Sequence, residues 1–230
     1  MESGFTGTDE GFDLHFAGRL FLSHRSATPV LTMARGNPAV EMIRGNFRIE
    51  DAPFGSIAPT DWVIEGDSVL LSDREGPAAR LTFLVNALTV ELLRADYDRI
   101  HFNCFAEPGE TVWGGGEQMS YLALNGRAFP IWTSEPGVGR DKTTDLTQAM
   151  DAAGMAGGDY WTTNYPQPTF LTSRWVAVHC TTETYSVLDF TDPARHRVEV
   201  WAAATTFELF AANGPLDLVD GRFMASRLIG

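Results

Sequence analysis

The chain has 230 residues, 44% apolar and 20% charged, with 17 Lys+Arg against 30 Asp+Glu and a formal net charge of −13. The composition is globular, and a chain of this length buries roughly 70–75% of its unfolded surface, enough for a core without metal or disulfide staples. The acidic balance and the lack of a Lys/Arg cluster exclude nucleic acid and anionic membranes as partners, because phosphate binding needs clustered cations to displace counterions.

Met1 to Asp13 has neither a basic run nor an apolar run, and no window approaches the ~18 uninterrupted apolar residues of a membrane span. The expectation is a soluble, cytoplasmic chain. From Asp13 to Phe105 short apolar segments alternate with Gly, Pro, Asn and Asp: Leu14–Phe16, Leu20–Leu22, Val30–Met33, Phe47–Ile49, Trp62–Ile64 and Ser68–Leu71, then Ala79–Val85, Leu88–Leu93 and Arg99–Phe105. Several alternate with period two, turn signals recur roughly every 8–12 residues, and no crossover helices intervene. This predicts an all-β fold, a large antiparallel β-sandwich. Cys104 and Cys180 each lie in such a stretch and read as small buried thiols rather than a disulfide or metal pair.

Val112 to Phe170 breaks the pattern, holding nine of the 22 glycines and six of the eleven Trp and Tyr residues. Its periodicity is poor, and a loop this long with this aromatic content reads as a binding loop or lid rather than as disorder. Gly114-Gly115-Gly116-Glu117 invites a phosphate-loop reading, but no Lys-Ser/Thr follows and Glu117 would repel a phosphate. The plainer reading is a glycine bend that brings Trp113, Glu117 and Tyr121 together. No Gly-x-Ser-x-Gly elbow occurs, and His15, His24, His101, His179 and His196 are scattered without zinc spacing, so neither a metal nor a cofactor is expected. Glu117, Glu135, Asp141, Asp145 and Asp159 are carboxylates of the loop. Trp132, Tyr160, Trp161 and Tyr165 offer flat rings for sugar stacking, and Arg140 offers a fork of donors. Arg140 with Lys142 could meet an anionic substrate group, or they pair with Asp141 and Asp145, which is the favoured reading.

Strands return at Trp175–Cys180, Tyr185–Phe190, His196–Ala202 and Thr206–Phe210. After Asn213-Gly214-Pro215, the residues Leu216, Val219, Phe223 and Leu228 fall at near-helical spacing, with Pro215 where a first turn tolerates it. The expected division is a sandwich domain over 1–212, with the long loop at 112–170, and a helix over 213–230.

The run Gly114–Tyr121, then Phe129-Pro130-Ile131-Trp132-Thr133-Ser134-Glu135-Pro136-Gly137-Val138-Gly139-Arg140-Asp141-Lys142, Gly157–Trp161 and Tyr165–Phe170, resembles the N-terminal portion of bacterial sulfoquinovosidases, α-glycosidases of glycoside hydrolase family 31. Weaker echoes at Leu14–Phe16, Arg19–Leu20, Phe47, Trp175–Cys180 and Leu188–Phe190 carry the likeness across nearly the whole chain. The resemblance implies a galactose-mutarotase-like sandwich that precedes a (β/α)₈ barrel, with the closing helix as connector. The ending at Gly230 then implies a fragment or a truncated product. It places the nucleophilic and acid/base aspartates in the barrel, so no catalytic residue is assigned to this chain. It implies that Glu117, Gln118, Trp132, Glu135 and Arg140 face the pocket for a sulfonated α-glycoside. The alternatives are an α-glucosidase or α-xylosidase of the same family acting on neutral sugars, and a non-catalytic carbohydrate-binding sandwich. Without a barrel, Leu216, Val219, Phe223 and the loop aromatics are expected to form an apolar patch.

Overall fold

The structure is a computed structural model that describes residues 3–43, 46–136, 141–154 and 158–220. Its first strands are β1 (Gly4–Thr8), β2 (Gly11–Phe16), β3 (Arg19–Arg25), β4 (Leu31–Arg35), β5 (Ala39–Ile43), β6 (Asn46–Glu50) and β7 (Phe54–Ile57). Next come β8 (Asp61–Glu65), β9 (Ser68–Asp73), β10 (Gly76–Leu84), β11 (Ala87–Leu92) and β12 (Arg99–Phe105). The middle of the chain forms β13 (Val112–Gly116), β14 (Ala128–Ile131) and helix α1 (Asp145–Ala152). The last part holds β15 (Pro166–Thr172), β16 (Val176–Thr181), β17 (Ser186–Asp189), β18 (Arg195–Val200), β19 (Ala204–Ala211) and helix α2 (Pro215–Asp220).

Two large antiparallel sheets dominate, as the alternation predicts. One has eight strands in the order β13-β15-β16-β19-β11-β10-β9-β8, and the other six in the order β14-β17-β18-β12-β4-β7. Their inner faces meet through rings: Phe102 of β12 stacks on Phe207 of β19 at 4.6 Å, and Phe170 of β15 meets Phe190 edge-on at 5.2 Å. Along β18, Val198 and Val200 are fully buried while Arg197 and Glu199 turn outward. A three-stranded sheet, β1-β2-β3, adds Phe12, Leu14, Phe21 and Leu22 to the same core. Gly4–Thr8 is strand although the sequence shows no apolar run there, because it pairs with Gly11–His15 by backbone bonds and leaves two of its five residues exposed.

Cys104 and Cys180 are buried free thiols; burial pushes the Cys104 pKa up and that of Cys180 up to about 11. Within the long segment the described residues form β13, β14, α1 and the start of β15, so it is not one continuous loop. Thr144 caps α1, its hydroxyl accepting from the Thr147 amide. Of the expected closing helix, Pro215–Asp220 is observed, and Phe223 and Leu228 lie outside the described residues. Leu218 is buried against Leu171, Trp175 and Phe210 on the outer face of the eight-stranded sheet, whereas Leu216 is 73% exposed. No helix among the described residues is long and apolar enough to cross a membrane.

A charged cluster around Glu110 is built into the interior. Arg174 donates to Glu110 at 3.0 Å, to the Leu20 carbonyl at 2.7 Å and to the Phe105 carbonyl at 2.8 Å, while His196 Nε2 lies 3.5 Å from Glu110. Burial alone would raise the Glu110 carboxyl, but contacts with His196 and Thr172, the Glu107 amide and the Arg174 charge hold it at about 2.

His24 is a second buried ionisable group, stacked on Phe12 at 4.8 Å and accepting from the Val30 amide at 3.4 Å. Burial pushes its pKa down to about 4, against a smaller upward pull from the Thr60 backbone. The unfolded chain therefore binds the proton first as pH falls through 6.5. The stability His24 contributes is complete above that pH and is lost towards about pH 4. Urea unfolding at about pH 7.5 and pH 5 is expected to show a loss on the order of 2 kcal/mol that shrinks in His24→Phe.

Candidate functional site

β13 and β14 are the edge strands of their two sheets, and β14 reaches β15 across the gap, closing that end of the sandwich. The glycines make this closure close-fitting. Gly114, Gly115 and Gly116 all have positive φ (125°, 74° and 81°), and β13 slips register against β15 between Gly114 and Gly116. The backbone leaves β13 at Glu117, whose amide donates to the Tyr165 carbonyl at 2.9 Å.

Thr163, fully buried, is the hub of the segment. Its hydroxyl donates to Glu117 Oε2 at 3.3 Å and its carbonyl accepts from the Ser134 amide at 3.0 Å. Glu117 and the Ser134-Glu135 turn are thus drawn to one threonine from opposite sheets. Both carboxylates remain exposed. Gln118 folds back over Gly115, donating to its carbonyl at 2.8 Å, and its Oε1 is buried without a hydrogen-bond partner among the described residues. Ser134 Oγ is buried and equally unpartnered there.

Trp132 lies just past the end of β14, half-buried. It meets Phe47 edge-on at 5.3 Å and Tyr185 at 6.0 Å, and its indole nitrogen is buried with no acceptor among the described residues. Arg140 lies outside the described residues, so its pairing with Asp141 or Asp145 is not placed. Asp141 is engaged otherwise: it accepts from Tyr121 at 2.8 Å and from the Thr143 hydroxyl at 2.6 Å, and these hydrogen bonds, Thr143's first, lower its pKa.

The other loop aromatics divide between structure and surface. Tyr160 donates to the Ala128 carbonyl at 2.6 Å and sits edge-on to Phe129, and Trp161 packs on the core, so neither offers a free face. Tyr165 is 52% exposed. The glycine bend does not bring Trp113, Glu117 and Tyr121 together. Trp113 lines an apolar groove with Trp175, Pro215 and Leu218, Glu117 reaches Thr163, and Tyr121 lies under the Arg127 guanidinium at 3.5 Å. Three successive positive-φ glycines turn the chain too far for those three side chains to share one side.

The site therefore offers the two exposed carboxylates of Glu117 and Glu135, which suit hydrogen bonding to a polyhydroxylated ligand, while Gln118 Oε1, Ser134 Oγ and the Trp132 indole N–H are buried. The sequence reading missed Thr163, and it singled out Phe47 only as a strand residue and an echo of the resemblance, without linking it to Trp132. Thr163 is one polar residue among many in a run without period, and Phe47 reaches Trp132 from 85 positions away, a pairing that no local pattern signals.

A sulfoquinovosidase from Agrobacterium fabrum (strain C58) is 46% identical over 218 residues, covering 94% of this chain and 33% of that protein. A sulfoquinovosidase from Escherichia coli (strain K12) is 35% identical over 229 residues, covering 96% of this chain and 34% of that protein. Among solved structures, a GH31 family sulfoquinovosidase from E. rectale in complex with an aza-sugar inhibitor superposes with a TM-score of 0.79 at 35% identity, over 94% of this chain and 33% of that one. No protein-family model matches. The chain spans about a third of the length of the relatives it matches, and along nearly all of its own length it is similar to that third of these sulfoquinovosidases.

Proposed function

We propose that this chain, similar to sulfoquinovosidases over 94% and 96% of its length, belongs with glycoside hydrolase family 31 and is the β-sandwich part of a retaining α-glycosidase that hydrolyses α-sulfoquinovosides, sugars bearing a sulfonate. The observation that carries the reading is 46% identity to the A. fabrum protein across 94% of the chain. In a retaining reaction one carboxylate attacks the anomeric carbon while another protonates the leaving oxygen, through an oxocarbenium-like transition state. The proposal places both carboxylates, and the principal grip on the sulfonate, in a catalytic barrel outside this chain. What the chain contributes is one wall of the pocket.

The closed end of the sandwich supports that role. Glu117 and Glu135 stay exposed near Thr163, and the buried Gln118 Oε1 and Trp132 N–H have no hydrogen-bond partner among the described residues. Arg140 is included on the family resemblance alone. A cytoplasmic setting belongs to the same reading, since Cys104 and Cys180 are unpaired, as reducing compartments leave them.

The test offers a chromogenic α-sulfoquinovoside and the matching α-glucoside to the longer polypeptide that carries this segment, and to the segment alone. Expected are a preference of roughly 100-fold or more in kcat/KM for the sulfonated sugar by the longer polypeptide, and no turnover by the segment. Turnover by the segment would overturn the placement of the reacting carboxylates elsewhere. Equal use of the glucoside would make the protein a neutral-sugar α-glycosidase.

A further inference from the structure

The ribbon formed by β5 and β6 belongs to neither large sheet. Its register puts Val40 opposite Ile49 and Met42 opposite Phe47, so one face is apolar, while Glu41 and Arg48 form an ion pair on the other. A two-stranded ribbon of this length is marginal by itself and needs something to hold it. Two contacts do so, at its two ends. Near the tip, Phe47 presses edge-on against Trp132 at 5.3 Å. At the base, Asp51 accepts from Arg99 at 2.8 Å in an ion pair whose side chains are only 7% and 4% exposed, and its other oxygen accepts from the Asn37 amide at 3.1 Å.

Between these two points runs a continuous row across the outer face of the six-stranded sheet. The Arg99 guanidinium lies 4.2 Å over Trp201, Trp201 packs on Tyr185 at 4.4 Å, and Tyr185 packs on Trp132 at 6.0 Å. Trp201 is held in turn by its indole N–H, which donates to Glu199 at 2.7 Å. The contacts thus form a closed circuit from Asp51 through Arg99, Trp201, Tyr185 and Trp132 to Phe47, beginning and ending on the same ribbon. A ring packed on both sides in such a circuit has few positions left to it.

We propose that the β5–β6 ribbon is a clamp that positions Trp132, and with it the 132–136 segment, against the substrate, with Phe47 as the positioning residue that bears on the indole and the Asp51–Arg99 pair as its anchor. The inference rests on the pocket role proposed for Trp132. Phe47 touches no substrate in this scheme and acts only through Trp132. It sits on an element outside the main core, so its truncation is a milder change than breaking the buried Asp51–Arg99 pair.

The experiment uses the longer polypeptide that carries this segment and steady-state kinetics on a chromogenic α-sulfoquinovoside. Phe47→Ala is expected to raise KM by roughly 3- to 10-fold with kcat within about 2-fold, as expected when an edge-on ring contact that only positions a binding group is lost. Phe47→Tyr should restore KM, and Phe47→Ala added to Trp132→Ala should cause no further rise. If Trp132→Ala raises KM and Phe47→Ala does not, the clamp is overturned and the pocket role of Trp132 stands. If neither variant moves KM, both fall. Equal losses of kcat and folded yield in Phe47→Ala and Phe47→Tyr would show a purely structural role and overturn the clamp.

Discussion

Truncation of Arg174 to alanine is expected to cost about 3–5 kcal/mol of stability, because it strands the Glu110 carboxylate in the interior. The Glu110 side chain is only 1% exposed, and Arg174 links it to the Leu20 and Phe105 carbonyls, so one side chain ties β3, the end of β12 and the β15–β16 turn together. The loss would leave two buried carbonyls short of a donor as well as an unpaired charge. Glu110→Gln together with Arg174→Met should be less damaging than Arg174→Ala alone, since removing both charges also removes their desolvation cost. Urea unfolding of the single and double variants measures the difference, and an Arg174→Ala cost below about 1 kcal/mol would refute the keystone role. The pH dependence has a defined sign. With the carboxyl held at about 2 in the fold against 4.5 unfolded, its contribution is present above pH 4.5 and disappears as pH falls towards 2.

The second large effect is expected at Gly116. A Cβ there would stand 2.2 Å from the Tyr165 carbonyl oxygen and 2.6 Å from the Gln167 nitrogen, and φ is +81°. Both obstacles are backbone, so nothing flexible can yield. Gly116→Ala should cost roughly 3 kcal/mol or more and prise β13 from β15 at the point where Glu117 and Gln118 leave the strand. Gly126 provides the control: its φ is nearly the same, +76°, but a Cβ there meets nothing within 4 Å. Gly126→Ala should therefore cost only the backbone strain, about 1 kcal/mol. Thermal unfolding of the two variants separates steric blockage from conformational strain.

The sandwich was legible because its strands bury one face at a time. Val198 and Val200 alternate with Arg197 and Glu199, and that alternation is visible in the sequence before any partner strand is known. The free buried cysteines were legible for the same reason. Two strands within the glycine-rich segment were not, because three glycines in β13 and a proline in β14 carry little strand preference and owe their conformation to backbone pairing with β15 and β17. Of the five residues that sequence resemblance brings to the site, Glu117, Gln118 and Glu135 gather near Thr163, Trp132 sits in the aromatic row, and Arg140 lies outside the described residues. What joins them, the Thr163 hub and the ribbon, depends on contacts 46 and 85 positions apart, which become visible only when the sheets are assembled.

The two interior thiols carry a practical consequence. Burial disfavours their thiolates, and the thiolate is the form that attacks a maleimide or a disulfide. The parent chain is therefore already a quiet background for conjugation chemistry, and a cysteine placed at the exposed Leu122 or Tyr165 would take a fluorophore or spin label at one address, without first engineering the native pair away.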